Sequence, residues 1–369
     1  MLSKQNQKGG DNSTNVQAEN IHYHVMGIDE KRAREVFQEM NLQVRKEYTQ
    51  EAAEIANSRL QQFEDSLMQK MEQVEGALEA FSDPSFQMLI VEAQKSAAST
   101  ERLADYDLLS ELLIHRFKKD DNRVARAGIN VAVDIVDQIS DDALLGLTVF
   151  HAVGQFAPIS KYASDGLNIL DELFGKIIYS DLPTGQEWLD HLDILRAVRQ
   201  NPYGTIYSIR QIFAEKMSGF VDVGIKINSE NHIKAKAILQ EIGLSDDLLV
   251  EHCFNKEYVR LGVANKRHIE ELFVIKDVTI CDQIVKLPQK LTQQELSALE
   301  SIYSLYSQEN NVREQNINTL MAELEKRPNL KALNDWWDKI PFLISLTSAG
   351  KVLAHSNAQR CDNSLPELA

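Results

Sequence analysis

The chain has 369 residues, 43% of them hydrophobic and 25% charged, with a formal net charge of −16. That is ordinary globular composition, enough for about two or three packed units, and the acid excess repels phosphate backbones, which argues against nonspecific nucleic-acid binding. Cys253, Cys281 and Cys361 are isolated and odd in number, with no zinc-type spacing, so a disulfide framework is excluded and a reducing cytoplasm is expected. The beginning lacks an apolar leader core and no apolar run is long enough to span a bilayer, so neither secretion nor a membrane partner is expected.

The front, residues 1–27, is polar. Val16 and Ala18, then Ile21, Tyr23 and Val25, alternate with polar residues, the period of an extended chain with one apolar face. Glu19-Asn20 separates the two runs, which suits a hairpin, and free strand edges invite a second copy or another chain. A polar Gln/Asn/Ser/Gly-rich terminus also fits a disordered tail. Asn15, Val16, Gln17, Ala18, Asn20, Ile21, Tyr23 and Val25 are the candidate assembly residues, with Asn and Gln able to ladder along a stack. His22 and His24 share one strand face without a third ligand, so no metal is expected there.

Gly27-Ile28-Asp29 closes the front, and Asp29 is placed to cap a helix with Ala33, Val36, Phe37 and Met40 on its apolar face. Thr49 caps a longer helix whose stripe is Ala53, Ala56, Leu60, Phe63, Leu67, Met71 and Val74. Leu60, Phe63, Leu67 and Met71 are the candidate interface of that helix. Lys70 interrupts a strict heptad, which favours a packed amphipathic helix over a long coiled coil.

The run Gly10-Asp11-Asn12-Ser13-Thr14-Asn15-Val16-Gln17-Ala18, followed by Gly27-Ile28 and the Ala33–Phe37 helix, resembles the front of an uncharacterised bacterial family of similar length. Related fronts occur in proteins assigned to antiphage conflict. The polar front is also similar to bacterial amyloid-signalling motifs with a Val-Gln core, although Glu19 stands where such motifs have a small residue. The resemblance implies a role in assembly or defence and brings no catalytic residues.

From Pro84 to about residue 180 the pattern is a helical bundle, with starts at Asp83-Pro84, Thr100 and Ser140 and several helices apolar on more than one side. Leu182-Pro183-Thr184-Gly185 is a joint, and a helix from Trp188 ends before Asn201-Pro202. Val221, Val223, Ile225 and Ile227 alternate as a strand. A helix over Ile233–Ile242, a turn at Gly243-Leu244-Ser245, a second helix over Asp246–Arg260 and strands at Leu261–Val263 and Phe273–Ile280 then suggest a winged helix. The would-be recognition helix carries two positive and four negative side chains, net −2, so DNA recognition is disfavoured.

Thr292 and Glu295 form a capping box for a helix through Leu296, Leu299, Ile302, Tyr303 and Tyr306. Two further helices follow, the second with Trp336-Trp337 as a core anchor plus one exposed ring. A strand at Phe342–Leu346 then leads through Leu-Thr-x-x-Gly into a final helix, and the tail from Cys361 is expected to be loose.

No phosphate loop, dinucleotide fingerprint, nucleophile elbow or HExxH motif occurs. Asp190-His191 and His252-Cys253 are adjacent pairs, a spacing that forms no catalytic dyad on its own. His115 and His151 sit among apolar residues, as satisfied core histidines do.

The sequence therefore predicts a mainly α chain: a front (1–27), a helical bundle (28–180), a module with a winged-helix-like part (184–287), a C-terminal helical module (288–360) and a tail (361–369). Its expected role is a non-enzymatic, self-assembling interaction protein with no cofactor and with itself or another protein as partner. A winged-helix regulator, or an enzyme whose site is gathered from distant residues, are the alternatives.

Overall fold

The computed structural model describes residues 28–45, 50–119, 122–280 and 283–368. The front, including Asn15, Val16, Gln17, Ala18, Asn20, Ile21, His22, Tyr23, His24 and Val25, lies outside the described residues, as do Thr49 and Cys281.

The chain is mainly helical. α1 (Glu30–Arg45) begins where Asp29 accepts a hydrogen bond from the backbone of Arg32 at 2.8 Å, and α2 (Gln50–Glu72) lies against it. A 3-10 turn over Ala77–Ser82 leads to α3 (Pro84–Ser99), which Asp83 caps on the amide of Ser85. α4 (Leu103–Lys118), α5 (Arg123–Ile135), α6 (Asp141–Gln155) and α7 (Ala163–Ile177) follow. Lys70 of α2 pairs with Glu111 of α4, which explains the break in the heptad: the helix packs inside a bundle.

α8 (Glu187–Ile194) is shorter than the sequence suggested. The residues after it form β1 (Val198–Asn201), followed by α9 (Ile209–Lys216) and the single turn α10 (Ser218–Val221). The alternation read across Val221–Ile227 therefore yields only the short strand β2 (Ile225–Lys226), since Val221 is already helical.

Next come α11 (Glu230–Glu241), β3 (Leu249–Glu251), β4 (Tyr258–Leu261) and the paired strands β5 (Phe273–Ile280) and β6 (Gln283–Lys290). Asp246–Arg260 is not a helix. A 3-10 turn over Asp246–Leu248 runs into β3, and β4 returns antiparallel with Leu249 opposite Leu261 and Glu251 opposite Val259. The β-branched Val250 and Val259 suit a pleated surface better than a helix, and β2 completes a sheet of order β2-β4-β3. The recognition helix that a winged-helix regulator requires is absent from this segment.

α12 (Gln293–Tyr303) starts at the expected box: Thr292 and Glu295 exchange both capping bonds. α13 (Asn310–Glu325) and α14 (Pro328–Trp337) return to the N-terminal helices, β7 (Leu343–Leu346) pairs antiparallel with β1, and α15 (Ser348–Cys361) ends the fold.

Two cores organise these elements. The larger runs from Ala33 to Ala358 and draws in helices from both ends of the chain. The smaller, built on Ile225, Leu239, Leu261, Val263, Leu299, Ile302 and Tyr306, belongs to the segment between α10 and α13. Packing thus follows a helical body (28–221 and 310–368) with an inserted α/β module (222–309), and the chain-order divisions at 184 and 288 cut across it.

α15 occupies the middle of the body against α4, α5, α6 and α7. Its small residues allow this: a Cβ on Gly350 would meet the Ala197 carbonyl oxygen at 1.9 Å. Thr347 caps the helix on the amide of Gly350 and donates to the Arg196 and Ala197 carbonyls. The Leu-Thr-x-x-Gly run is therefore the device that seats the last helix beside β1.

The tail is held rather than loose. Leu365 and Leu368 pack on the core, the Pro366 carbonyl accepts from His355 at 2.9 Å, and Glu367 pairs with Lys118.

Candidate functional site

The four residues assigned to a helix interface are spent inside the chain. Leu60, Phe63, Leu67 and Met71 are fully buried where α2 meets α1, α3 and α4, and Phe63 lies against Phe37 at 5.7 Å. Both rings of the Trp336-Trp337 pair are buried as well. Trp336 donates to the Pro183 carbonyl and Trp337 to that of Tyr207, and Trp337 stacks on Phe150, so neither ring is left exposed.

Tertiary structure gathers two polar clusters that no sequence spacing revealed. In the body, His151 and His355 are in contact, and His115 lies edge-on to His355 at 5.7 Å. The Pro366 carbonyl can only accept, so His355 Nε2 carries the proton; its Nδ1 then accepts from His151 Nε2 at 3.1 Å. His115 Nε2 donates to Gln359 at 2.7 Å. Burial lowers all three histidines, His151 to about 3 and His355 to about 4, so they stay neutral. On the same helix as His355, Asn357 donates to the Thr148 hydroxyl. These buried rings hold helices together.

The second cluster ties the module to the body. Asp222 accepts from Arg313 Nε at 3.0 Å and from the Tyr303 hydroxyl at 2.5 Å, while its backbone carbonyl accepts from His252 at 3.0 Å. Burial pushes the Tyr303 and Tyr306 hydroxyls far up and lowers His252 to about 4. Arg260 is 0% exposed. Its guanidinium donates to the Leu261, Val263 and Lys161 carbonyls and to the Cys253 sulfur, and lies over the Phe220 ring. His252 turns toward Asp222 and Asn316, away from Cys253, so the adjacent pair forms no dyad. His191 accepts from the Ser140 amide while Asp190 accepts from Gln186 and Gln200, so that pair is also divided.

A cavity of about 310 Å³ beside Asp222 is lined by Lys266, Tyr303, Ser307 and Arg313. Its one carboxylate is already held by Arg313 and Tyr303. Among the described residues, no group of three or more His, Cys, Asp or Glu is placed to hold a metal ion.

The surfaces are more informative. β5 and β6 pair in register from Phe273 opposite Lys290 to Ile280 opposite Gln283 and, among the described residues, hydrogen-bond to no third strand. One face is anchored, with Val274 buried and Lys276 on Glu295. The other turns Phe273 (58% exposed) and Ile275 (74%) outward, two residues apart and therefore on the same side. Between the base of this ribbon and the Gly243–Leu248 turn lies an open cavity of about 680 Å³.

A family model described as ":-like" matches residues 27–366. The chain belongs to that family. The family's description gives no activity, substrate or partner, and the match begins after the polar front. It spans the body and the module together, in keeping with their interlocked packing, and is silent on antiphage conflict and amyloid signalling. No curated protein and no solved structure matches this family member. No described helix is long and apolar enough to cross a membrane.

Proposed function

We propose that the protein is a non-enzymatic cytoplasmic interaction protein that self-assembles by strand addition, the front of one copy pairing along the β5–β6 ribbon of another. The observation that carries this reading is the ribbon itself: two eight-residue strands with, among the described residues, no third partner, and an outward Phe273–Ile275 face. A two-stranded ribbon is marginal alone and gains most from a further strand, which supplies backbone hydrogen bonds and covers alternate side chains. The occupant is the front because Val16, Ala18, Ile21, Tyr23 and Val25 carry the matching period of two. A role for this assembly in bacterial defence or stress is part of the same proposal, and the resemblance of the front to antiphage-conflict proteins and amyloid-signalling motifs is what supports it.

Size-exclusion chromatography with light scattering tests it on the full chain, a variant lacking residues 1–26, and Ile275→Asp. The full chain is expected to run as an oligomer and both variants as monomers. Identical sizes for all three overturn the reading.

A further inference from the structure

α5 carries two apolar stripes. One, through Ile129, Ala132 and Val133, is buried in the body. The other, Val124, Ala127 and Val131 at spacings of three and four, is exposed and forms one wall of an open groove of about 630 Å³. The end of α8 and the start of β1 form the opposite wall, and Thr347–Ala349 at the head of α15 line the groove as well. A Cβ on Gly128 would meet Ser348 Cβ at 2.8 Å, so α5 and α15 are already in contact and no further helix of this chain can enter between them.

Three guanidiniums line this groove: Arg123, Arg196 and Arg199. Among the described residues none of them makes a hydrogen bond or ion pair. Asp193 is the only acid of the lining, so three positive charges less one leave +2, on a chain whose net charge is −16.

Arg196 also occupies a position that favours glycine. Its φ is 60°, and it follows α8 where the Ala197 amide reaches back to the Leu192 carbonyl and the Arg196 amide to that of Asp193. Glycine would adopt this conformation without strain.

We propose that this groove docks a short acidic segment of another protein, with an aliphatic side chain on the Val124–Val131 stripe and flanking carboxylates on Arg123, Arg196 and Arg199. Guanidiniums bind carboxylates in bidentate fashion, and the stripe gives the anchor somewhere to bury. A nucleic acid would leave the stripe uncovered and would meet the repulsion of the acidic chain on either side. The site shares no residue with the ribbon, so the two readings fail separately.

The test is fluorescence anisotropy at low salt with a labelled peptide of repeating Glu-Glu-Leu, a Gln-Gln-Leu control and an oligothymidine, on the full chain. The acidic peptide binds and the Gln control does not. Arg123→Glu with Arg199→Glu weakens binding roughly tenfold or more, as expected for losing charge-assisted bonds, with oligomer size unchanged. Arg196→Gly weakens it several-fold while the thermal midpoint holds or rises, which a purely structural role for that side chain would not produce. No binding of the acidic peptide, equal binding by the double variant, tighter binding of oligothymidine, or an oligomer that dissociates in the double variant would each overturn the proposal, the last in favour of a second copy as occupant.

Discussion

The helical body and the module inserted into it differ in what holds their centres together. The body surrounds α15 with four helices and sets neutral polar groups around it: His115, His151, His355, Asn357 and Thr148 bond to one another or to carbonyls, while buried charges elsewhere in the body are paired, Asp105 with Arg102 and Glu64 with Arg34. The module has a much smaller core and is fastened to the body by charge. Arg260 is wholly buried among carbonyls, and Asp222 is gripped by Arg313 and Tyr303 where the chain crosses from one region to the other. A large core stabilises chiefly through apolar burial, whereas a small one relies more on strong, directional bonds. The body should therefore fail by steric or proton-driven disruption of its centre, and the module by loosening at the joint.

The largest effect is expected from Gly350→Ala. The added methyl would collide with the Ala197 carbonyl, separating α15 from β1, and the cost should be at least about 3 kcal/mol, since neither backbone can give way cheaply. Chemical denaturation would measure it, and a loss under about 1 kcal/mol would mean that α15 is not the tightly seated centre described above.

Acid should come next. His151 and His355 titrate near 6.5 when unfolded but only at about 3 and about 4 in the fold. The unfolded chain therefore binds more protons at acid pH, so stability is complete above about 6.5 and falls as the pH drops below it. Each ring contributes about 1.4 kcal/mol per pH unit well below that point. Melting scans between pH 7 and pH 5 should show the decline, and His151→Phe should flatten it. A pH-independent midpoint would contradict the neutral cluster.

The smallest effect belongs to the joint. Arg313→Ala removes a partly exposed charge-assisted bond to Asp222 and should cost about 1 kcal/mol. Hydrogen exchange should localise the loss to β2, β4 and α12 while the amides of α15 stay protected. Equal loss of protection in both regions would mean that body and module unfold as one unit.

Features that depend on neighbours along the chain were legible beforehand. Asp29, Asp83, Ser140 and Thr292 cap the helices they were expected to cap, because a cap needs only the next few residues. The stripe from Ala56 to Met71 was read correctly, yet assigned to the wrong partner. Periodicity reports which face is apolar and not what covers it. Asp246–Arg260 was misread because its apolar spacing fits a helix, whereas β3 and β4 pair as a hairpin that β2 extends into a sheet. The surfaces now proposed were half visible: several bundle helices read as apolar on more than one side, but nothing local shows that one side of α5 stays uncovered beside three arginines.

The sequence by itself determined the helical class and the positions of most caps, the one at the start of the last helix included, since these rest on side chains within a turn or two of one another. Tertiary structure alone decided that the last helix is central, that β1 pairs with β7 and that His115, His151 and His355 meet. Each of those outcomes joins residues far apart in the chain, and the shape and volume of the shared core select them.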